Sequence, residues 1–447
     1  MTAKRRGLPL LAAASLLAAV VLPGCEAAEA ATGTVTVLGT WTGDEQSGFE
    51  AMIRGFEQQT GIQVNYTGTR DADAVLSSDL EDGNPPDLAV LSTPGEVSQY
   101  AAAGTLIPLD SALASVHMTS QYGPSWLRLM QDAGPTGARH YYAIIVKAAL
   151  KSVIWYDPRT LPAQYQSVLT SPGLTWQQLT NMTASMAASG TTPWCMGFED
   201  SSNSGWPGTD WIEDILLHQS GPVAYDQWIA GTLPWTSPQV EQAWQTFGQI
   251  VNTPGMVYGG IQAEMLTNYG QAGQPMFDNP PGCYLDHEGS FITAFYTEDT
   301  LGSASSGAHP QPETDFRFVP LPALTPAGQG SEEVAGDLLG MFRSTPEARQ
   351  LIAYMTTPQA QEAWISRPGS GAISVNKLVP LSDYPDPVSR ALADNLIHAQ
   401  DPQFDAADAM PQVMEDAFYS ALLEYLDQPS RLGVILSDLD QVQKATY

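Results

Sequence analysis

The tightest constraint on this chain is the order of patterns between Thr34 and Leu91. Thr34-Val35-Thr36-Val37-Leu38 is a short β-prone run. From Glu45 to Gln59, Phe49, Met52, Ile53 and Phe56 recur on one helical face, and Gly61 stands where a left-handed residue ends a helix. Ile62, Val64 and Tyr66 then alternate with polar residues, as a strand does. A helical stretch around Ala74–Leu80 follows, and Pro85-Pro86-Asp87 leads into the apolar run Leu88–Leu91. Strands separated by helices make parallel sheets with helical cover. Thr93-Pro94 reads as cap and first turn of one more helix, which Gly104 ends. The beginning of the chain is therefore predicted to be an open α/β sheet.

Further on, His140–Tyr156 holds two β-prone runs, Tyr141–Val146 and Val153–Tyr156, around Lys147 and Lys151. The pattern then turns helical, as in Trp211–Gln219 and in Pro238–Val251 with Val240, Trp244, Phe247 and Val251 on one face. Gly302–Gln311 reads as a flexible loop, and Phe316, Phe318 and Val319 as a returning strand. Thr345-Pro346 and Thr357-Pro358 open two tandem helices, and the remainder is mostly helical. A strand that returns after a helical stretch implies two lobes, discontinuous in sequence and joined by crossovers. We assign residues 34–147 and 315–362 to an α/β lobe, and 148–314 and 363–447 to a helix-rich α/β lobe. Ligands of open α/β sheets bind beyond the carboxyl ends of the strands, so a cleft between the lobes is the expected site.

The N-terminus indicates the compartment. Lys4, Arg5 and Arg6 precede an apolar run, Leu8–Leu22, that is shorter than the roughly 20 residues a membrane span needs. This reads as a secretory signal. Val21-Leu22-Pro23-Gly24-Cys25 resembles a bacterial lipoprotein signal, in which the Cys is acylated and becomes the new N-terminus. That implies a signal peptide over residues 1–24, a lipid on Cys25, a tether over 25–33, and a location on the extracellular face of the cell membrane. With Cys25 acylated, Cys195 and Cys283 remain as an even pair in an oxidising compartment, either bridged or as two buried thiols, with the bridge favoured. A net charge of −30, from 18 basic and 48 acidic residues, argues against nucleic acid and anionic lipid as partners.

Several stretches resemble the extracellular solute-binding lipoproteins of bacterial ABC sugar importers (the family 1 type). The general marks are Phe56-Glu57-Gln58-Gln59-Thr60-Gly61-Ile62-Gln63-Val64, Asn84-Pro85-Pro86-Asp87 and Tyr354-Met355-Thr356-Thr357-Pro358-Gln359-Ala360-Gln361. The α-glucoside-binding branch is resembled in Gly68-Thr69-Arg70-Asp71, Trp155-Tyr156-Asp157-Pro158, Thr192-Pro193-Trp194-Cys195, the run from Gly205 to Asp214, and Cys283-Tyr284-Leu285-Asp286-His287. Asp286-His287-Glu288-Gly289-Ser290 is more acidic than the branch pattern. The resemblance implies a two-lobed periplasmic-binding-protein-like fold (type II), an α-linked di- or oligosaccharide as ligand, and ABC permease subunits in the membrane as partners. It also supports the Cys195–Cys283 bridge.

Sugar recognition needs flat apolar faces for pyranose C–H surfaces and planar polar groups for hydroxyls. Trp206 sits in Ser204-Gly205-Trp206-Pro207-Gly208, where no core pattern claims it, and Trp211 follows a loop. Trp41 and Thr69-Arg70-Asp71 each directly follow a predicted strand. Trp41 reads equally as a plug under its loop, Glu45 equally as a helix-dipole partner, and Arg70–Asp71 equally as a surface pair. Lys147 is either a hinge-side contact or an ordinary exposed lysine. Asp210, His287, Glu288, Asp337 and Arg367 join the candidates through the resemblance. We expect no cofactor, no metal and a monomer. The chain contains no Gly-x-Ser-x-Gly elbow, phosphate loop or His-Glu-x-x-His pair. Two other classes stay open: a secreted glycoside hydrolase, which needs only two carboxylates, and a surface adhesion module.

Overall fold

In a computed structural model the described residues are 1–2, 33–297, 309–399 and 401–447. Cys25, the signal and most of the tether lie outside them, as does residues 302–308 of the predicted loop. β1 (Thr34–Gly39) runs parallel to β2 (Gln63–Gly68), with Thr34 opposite Gln63, and parallel to β3 (Leu88–Leu91). The helix Gly43–Thr60 buries Phe49, Met52, Ile53 and Phe56 against them. Gly61 ends it at φ 75°, donating its N–H to the Glu57 carbonyl at 2.8 Å. Thr93 and Glu96 form a reciprocal capping box at the start of Pro94–Ala103. In this region sequence pattern and structure agree.

β4 (Gln131–Ala133) and β5 (Arg139–Tyr141) form a small antiparallel pair ahead of β6 (Ala143–Leu150) and β7 (Val153–Tyr156). β8 (Trp194–Cys195), β9 (Leu285–His287) and β10 (Arg317–Pro320) complete a second sheet in the order β10-β7-β9-β8. The first sheet runs β12-β11-β3-β1-β2, and β6 also pairs with β11. β11 (Ser331–Met341) is its hub, and sequence reasoning missed it. It lies parallel to β12 (Asp401–Phe404) over Ser331–Val334, antiparallel to β6 over Val334–Gly340, and antiparallel to β3 over Leu338–Met341. The register shifts between Asp337 and Leu338. Gly336 lets the strands approach closely there, since a Cβ would stand 3.1 Å from the Lys147 carbonyl oxygen and the backbone would have to give slightly.

Two hydrophobic cores fill the molecule. One holds β1, β3, β6 and the helix Gly43–Thr60, and continues through Trp364, Ile373 and Leu392 to Phe404. The other gathers Trp211, Ile215, Trp228 and Trp244 with Phe418, Leu422 and Leu436. The expected division placed residues 363–447 with the helix-rich lobe. Trp364 packs its ring 4.7 Å from that of Trp41, so the helix Pro358–Ile365 and its successor Pro387–His398 stay with the first core. Having contributed residues from Ile154 to Leu321, the chain returns to the second core at Ala406. Cys195 and Cys283 form the disulfide. Among the described residues no helix is long and apolar enough to cross a membrane.

Candidate functional site

The chain passes from the first sheet to the second at Lys151-Ser152, between β6 and β7. This crossover forms the floor of a cleft of about 430 Å³, to which Lys147, Ala148, Ala149 and Lys151 contribute. Lys147 is within β6 and buried, and is neither between strands nor exposed. Its ammonium contacts the carboxylate of Glu45 and lies 3.8 Å from that of Asp337. Glu45, in the first turn after β1, also accepts from Arg70 at 2.7 Å. Trp41 donates its indole N–H to Asp337 at 3.1 Å, with its ring wedged against Phe49 and Trp364. Burial opposes ionisation of Glu45 most strongly, yet Lys147 and Arg70 together hold its carboxyl below the ordinary range. Arg70 itself is exposed and lines the cleft. Asp71 also lines the cleft, whereas Thr69 does not, its hydroxyl accepting from the Asp71 N–H at 3.2 Å.

Lys151 anchors the opposite side. Its ammonium reaches Asp210 at 2.8 Å and Asp405 at 2.6 Å, and stands 4.9 Å from the Trp206 ring centroid. Trp206 and Asp210 meet the same lysine because they are four residues apart on one helix, Trp206–Ser220. Gly205 makes the entry to that helix possible: it takes φ 115°, and a Cβ would fall 2.7 Å from the Tyr419 carbonyl oxygen. Burial lowers the Lys151 pKa, but Asp210 and Asp405 more than restore it, so it stays charged. Around it Asp210, Glu213 and Glu333 are pushed well up, by burial first and then, for Glu213, by the charges of Asp405 and Asp210 and, for Glu333, by those of Asp214 and Glu213, while Lys151 holds Asp405 down against burial. Carboxylate oxygens of Asp210, Glu333 and Asp405 lie within 4.8 Å of one another, spacing that suits a cation, and the Lys151 ammonium contacts two of the three residues.

An aromatic wall closes one end. Trp206 is 4.8 Å from Tyr269 and 5.8 Å from Phe291, and Tyr269 is 5.2 Å from Phe295. The indole N–H of Trp206 donates to Asp200 at 2.8 Å. Its ring is half-buried, so a flat face borders the cleft. Asp73, Glu96, Asp408 and Glu415 also line the cleft.

The cleft thus brings together Trp41, Glu45, Arg70, Asp71, Lys147, Trp206 and Asp337, with Asp210 directly behind Lys151. Besides Thr69, four candidates go elsewhere. Trp211 was expected in a first helical turn, but the helix begins at Trp206, and Trp211, one turn further in, is in the core, 1% exposed and edge-on to Trp194 at 4.9 Å. His287 lies on β9 between β7 and β8, bonded to Asp214 at 2.9 Å. Glu288 is buried, its backbone carbonyl accepting from Trp155 at 2.8 Å. Arg367 lines a separate small depression beside Asp386 and Ser389. Sequence reasoning missed Lys151, Asp405, Tyr269, Phe291 and Phe295. Lys151 had a signal, being a rare cation four residues after Lys147 inside a β-prone stretch.

Residues 40–362 match the family described as bacterial extracellular solute-binding protein. The osmoprotective compounds-binding protein GgtB of Synechocystis sp. is 35% identical, over 88% of this chain and 88% of its own. The alpha-glucosides-binding periplasmic protein AglE of Rhizobium meliloti is 29% identical, over 92% of this chain and 86% of its own. Among solved structures, the bacterial solute receptor AcbH superposes with a TM-score of 0.76 at 16% identity, covering 93% of this chain and 99% of that one. A chitin oligosaccharide binding protein does so with a TM-score of 0.75, also at 16% identity, covering 93% and 99%. These two resemblances establish the two-lobed solute-receptor fold.

Proposed function

The chain belongs to the bacterial extracellular solute-binding protein family, and on that premise we propose that its cleft captures a short α-linked glycoside, a di- or oligosaccharide of the α-glucoside type, by lobe closure. As in its relatives, the role is that of a substrate-binding component of an ABC transporter and not of an enzyme, so the glycoside hydrolase alternative has no support. One observation carries the ligand class. The cleft sets the half-buried Trp206 face, with Tyr269 and Phe291 beside it, near a hydrogen-bonding array of Arg70, Glu45, Lys147 and Asp337. Aromatic faces cover the C–H surface of a pyranose, and charged planar groups bind its hydroxyls. The α-glucoside-binding relative supports the same class.

Closure follows from the placement of these groups. The Lys147 cluster rests on the first core, and Trp206 packs against the second. A ligand touching both is bound more tightly in the closed form and shifts the population toward it. We further read the protein as a monomer held on the outer face of the membrane through an acylated Cys25, delivering its sugar to permease subunits there. Calorimetry against trehalose, maltose, sucrose and longer maltooligosaccharides tests the ligand class. The expected result is micromolar or tighter binding of one of them, recovered intact. Trp206→Ala is expected to weaken that binding by about tenfold or more. Absence of binding across the panel would remove the α-glucoside assignment and leave the family and fold in place.

A further inference from the structure

The carboxylate cluster of the cleft is not accounted for by a neutral sugar. Glu96 and Asp73 come from the first two helix starts after β2 and β3, while Asp408 and Glu415 come from the segment beyond β12. The two pairs meet where these segments touch: a Cβ on Gly95 would lie 2.2 Å from the Met410 carbonyl oxygen and 3.1 Å from that of Asp408. Among the described residues none of the four carboxylates takes part in an ion pair. Glu415 is 5% exposed; one of its oxygens accepts from Tyr419 at 2.9 Å, and the other, Oε2, is buried without any hydrogen-bond partner. Glu96, also 5% exposed, spends Oε2 on its own helix cap, accepting from the N–H groups of Ser92 at 3.0 Å and Thr93 at 3.3 Å. A buried carboxylate oxygen with nothing to accept from is costly.

Resting on the receptor reading above, we propose that the ligand of this cleft carries a protonated amine, which lodges among Glu96, Glu415, Asp408 and Asp73, so that the preferred solute is an amino-substituted glycoside. The molecule already uses this solution once. Close to these residues the Lys151 ammonium sits against Asp210 and Asp405, and it is the internal counterpart of the cation these four carboxyl groups lack, Asp73 and Glu96 being hydrogen-bonded to each other. A metal ion fits less well. Among the described residues, acidic or histidine ligand atoms close enough to share one ion are found at Asp210, Glu333 and Asp405, not at these four. A primary ammonium donates three hydrogen bonds over a wider reach and can satisfy carboxylates that are too far apart for a common ion. In the absence of such a ligand, burial and then mutual repulsion push Glu96 well up, and burial raises the Glu415 carboxyl to about 8, so this cluster holds protons that a ligand cation displaces.

The test is calorimetry of the purified protein at neutral pH with trehalose and maltose, each beside its mono-amino-deoxy analogues bearing the amine on carbon two, four or six. At least one analogue is expected to bind about tenfold or more tightly than its parent, and that advantage is expected to fall severalfold in Glu415→Gln. If the parents bind and every analogue binds equally or more weakly, the amine is wrong while the sugar receptor stands. If neither series binds, the amine proposal falls together with the α-glucoside reading. An advantage that survives unchanged in both Glu415→Gln and Asp408→Asn places the amine elsewhere and overturns the assignment. Should these variants fail to fold, the ratio of analogue to parent affinity in the unaltered protein decides alone.

Discussion

Lys147 and Lys151 stand four residues apart on one crossover, both buried, each against two carboxylates, yet their surroundings are opposite in character. At Lys147 the charges nearly balance: Glu45 and Asp337 face Lys147 and Arg70, and Trp41 supplies a further donor. At Lys151 one ammonium serves Asp210 and Asp405 with Glu213 and Glu333 close behind, and protons make up the difference. The first cluster has an exposed arginine and is suited to exchange partners with a ligand. The second is closed and joins Asp210 of one helix to Asp405 at the start of another. The same residue type, once within β6 and once just beyond its end, therefore serves recognition on one side and cohesion on the other.

Removing each ammonium separates the two roles. Lys151→Met leaves Asp210 and Asp405 buried without a cation, and is expected to cost about 3–5 kcal/mol of stability in urea unfolding. A loss under 1 kcal/mol would mean that this cluster is not cohesive. Raising the pH attacks the acid-rich side next. Burial raises Glu332 and Asp286 to about 7, and the charge of Asp214, acting against burial, raises His218 to about 8. For each group the folded state holds its proton more tightly than the unfolded state. Their contribution is thus complete below the unfolded pKa values, near 4 for the carboxyls and 6.5 for the histidine, and is lost as pH rises toward 8. Asp214 works in the opposite sense, being held low by His218 and His287 against burial, so its contribution is lost only in acid. Unfolding at pH 5 and pH 8.5 is expected to differ by at least about 2 kcal/mol, with the lower pH more stable. A flat profile would contradict the assignment of bound protons.

Lys147→Met should cost less, about 1–3 kcal/mol, because Arg70 still faces Glu45, but it should weaken sugar binding at the same time. Arg70→Ala is the smallest change to the fold: an exposed residue paired once, worth under about 1 kcal/mol in unfolding. Its effect should instead appear in affinity. If Arg70→Ala unfolds the protein more than Lys151→Met does, the distinction between the two clusters is reversed.

The comparison also explains which parts were legible in the sequence. The helix Gly43–Thr60 and the capped helices at Thr93, Thr345 and Thr357 announce themselves through local periodicity and caps. β11 does not, because Ser331-Glu332-Glu333-Val334-Ala335-Gly336-Asp337 has the composition of a loop and becomes a strand only through three partners distant in sequence. The site divides in the same way. Trp41, Glu45 and Arg70 follow strands whose ends could be read, and the structure places them together. Asp405, Asp408 and Glu415 come from a helical region in which nothing local marks one acid among 48. Trp211 lies in the second turn of the helix that begins at Trp206, and its ring is enclosed by Trp194 and Phe247, contacts that come from residues distant in sequence.

The position of β11 also sets a timetable for assembly. β1 and β3 form within the first 91 residues, but β3 meets its second neighbour only when Leu338–Met341 arrives, and β12 follows from Asp401. Until most of the chain is available, the early sheet has an open edge and little of its core, and such long-range pairings close slowly. The sheet that begins the chain is therefore among the last parts of the molecule to be completed.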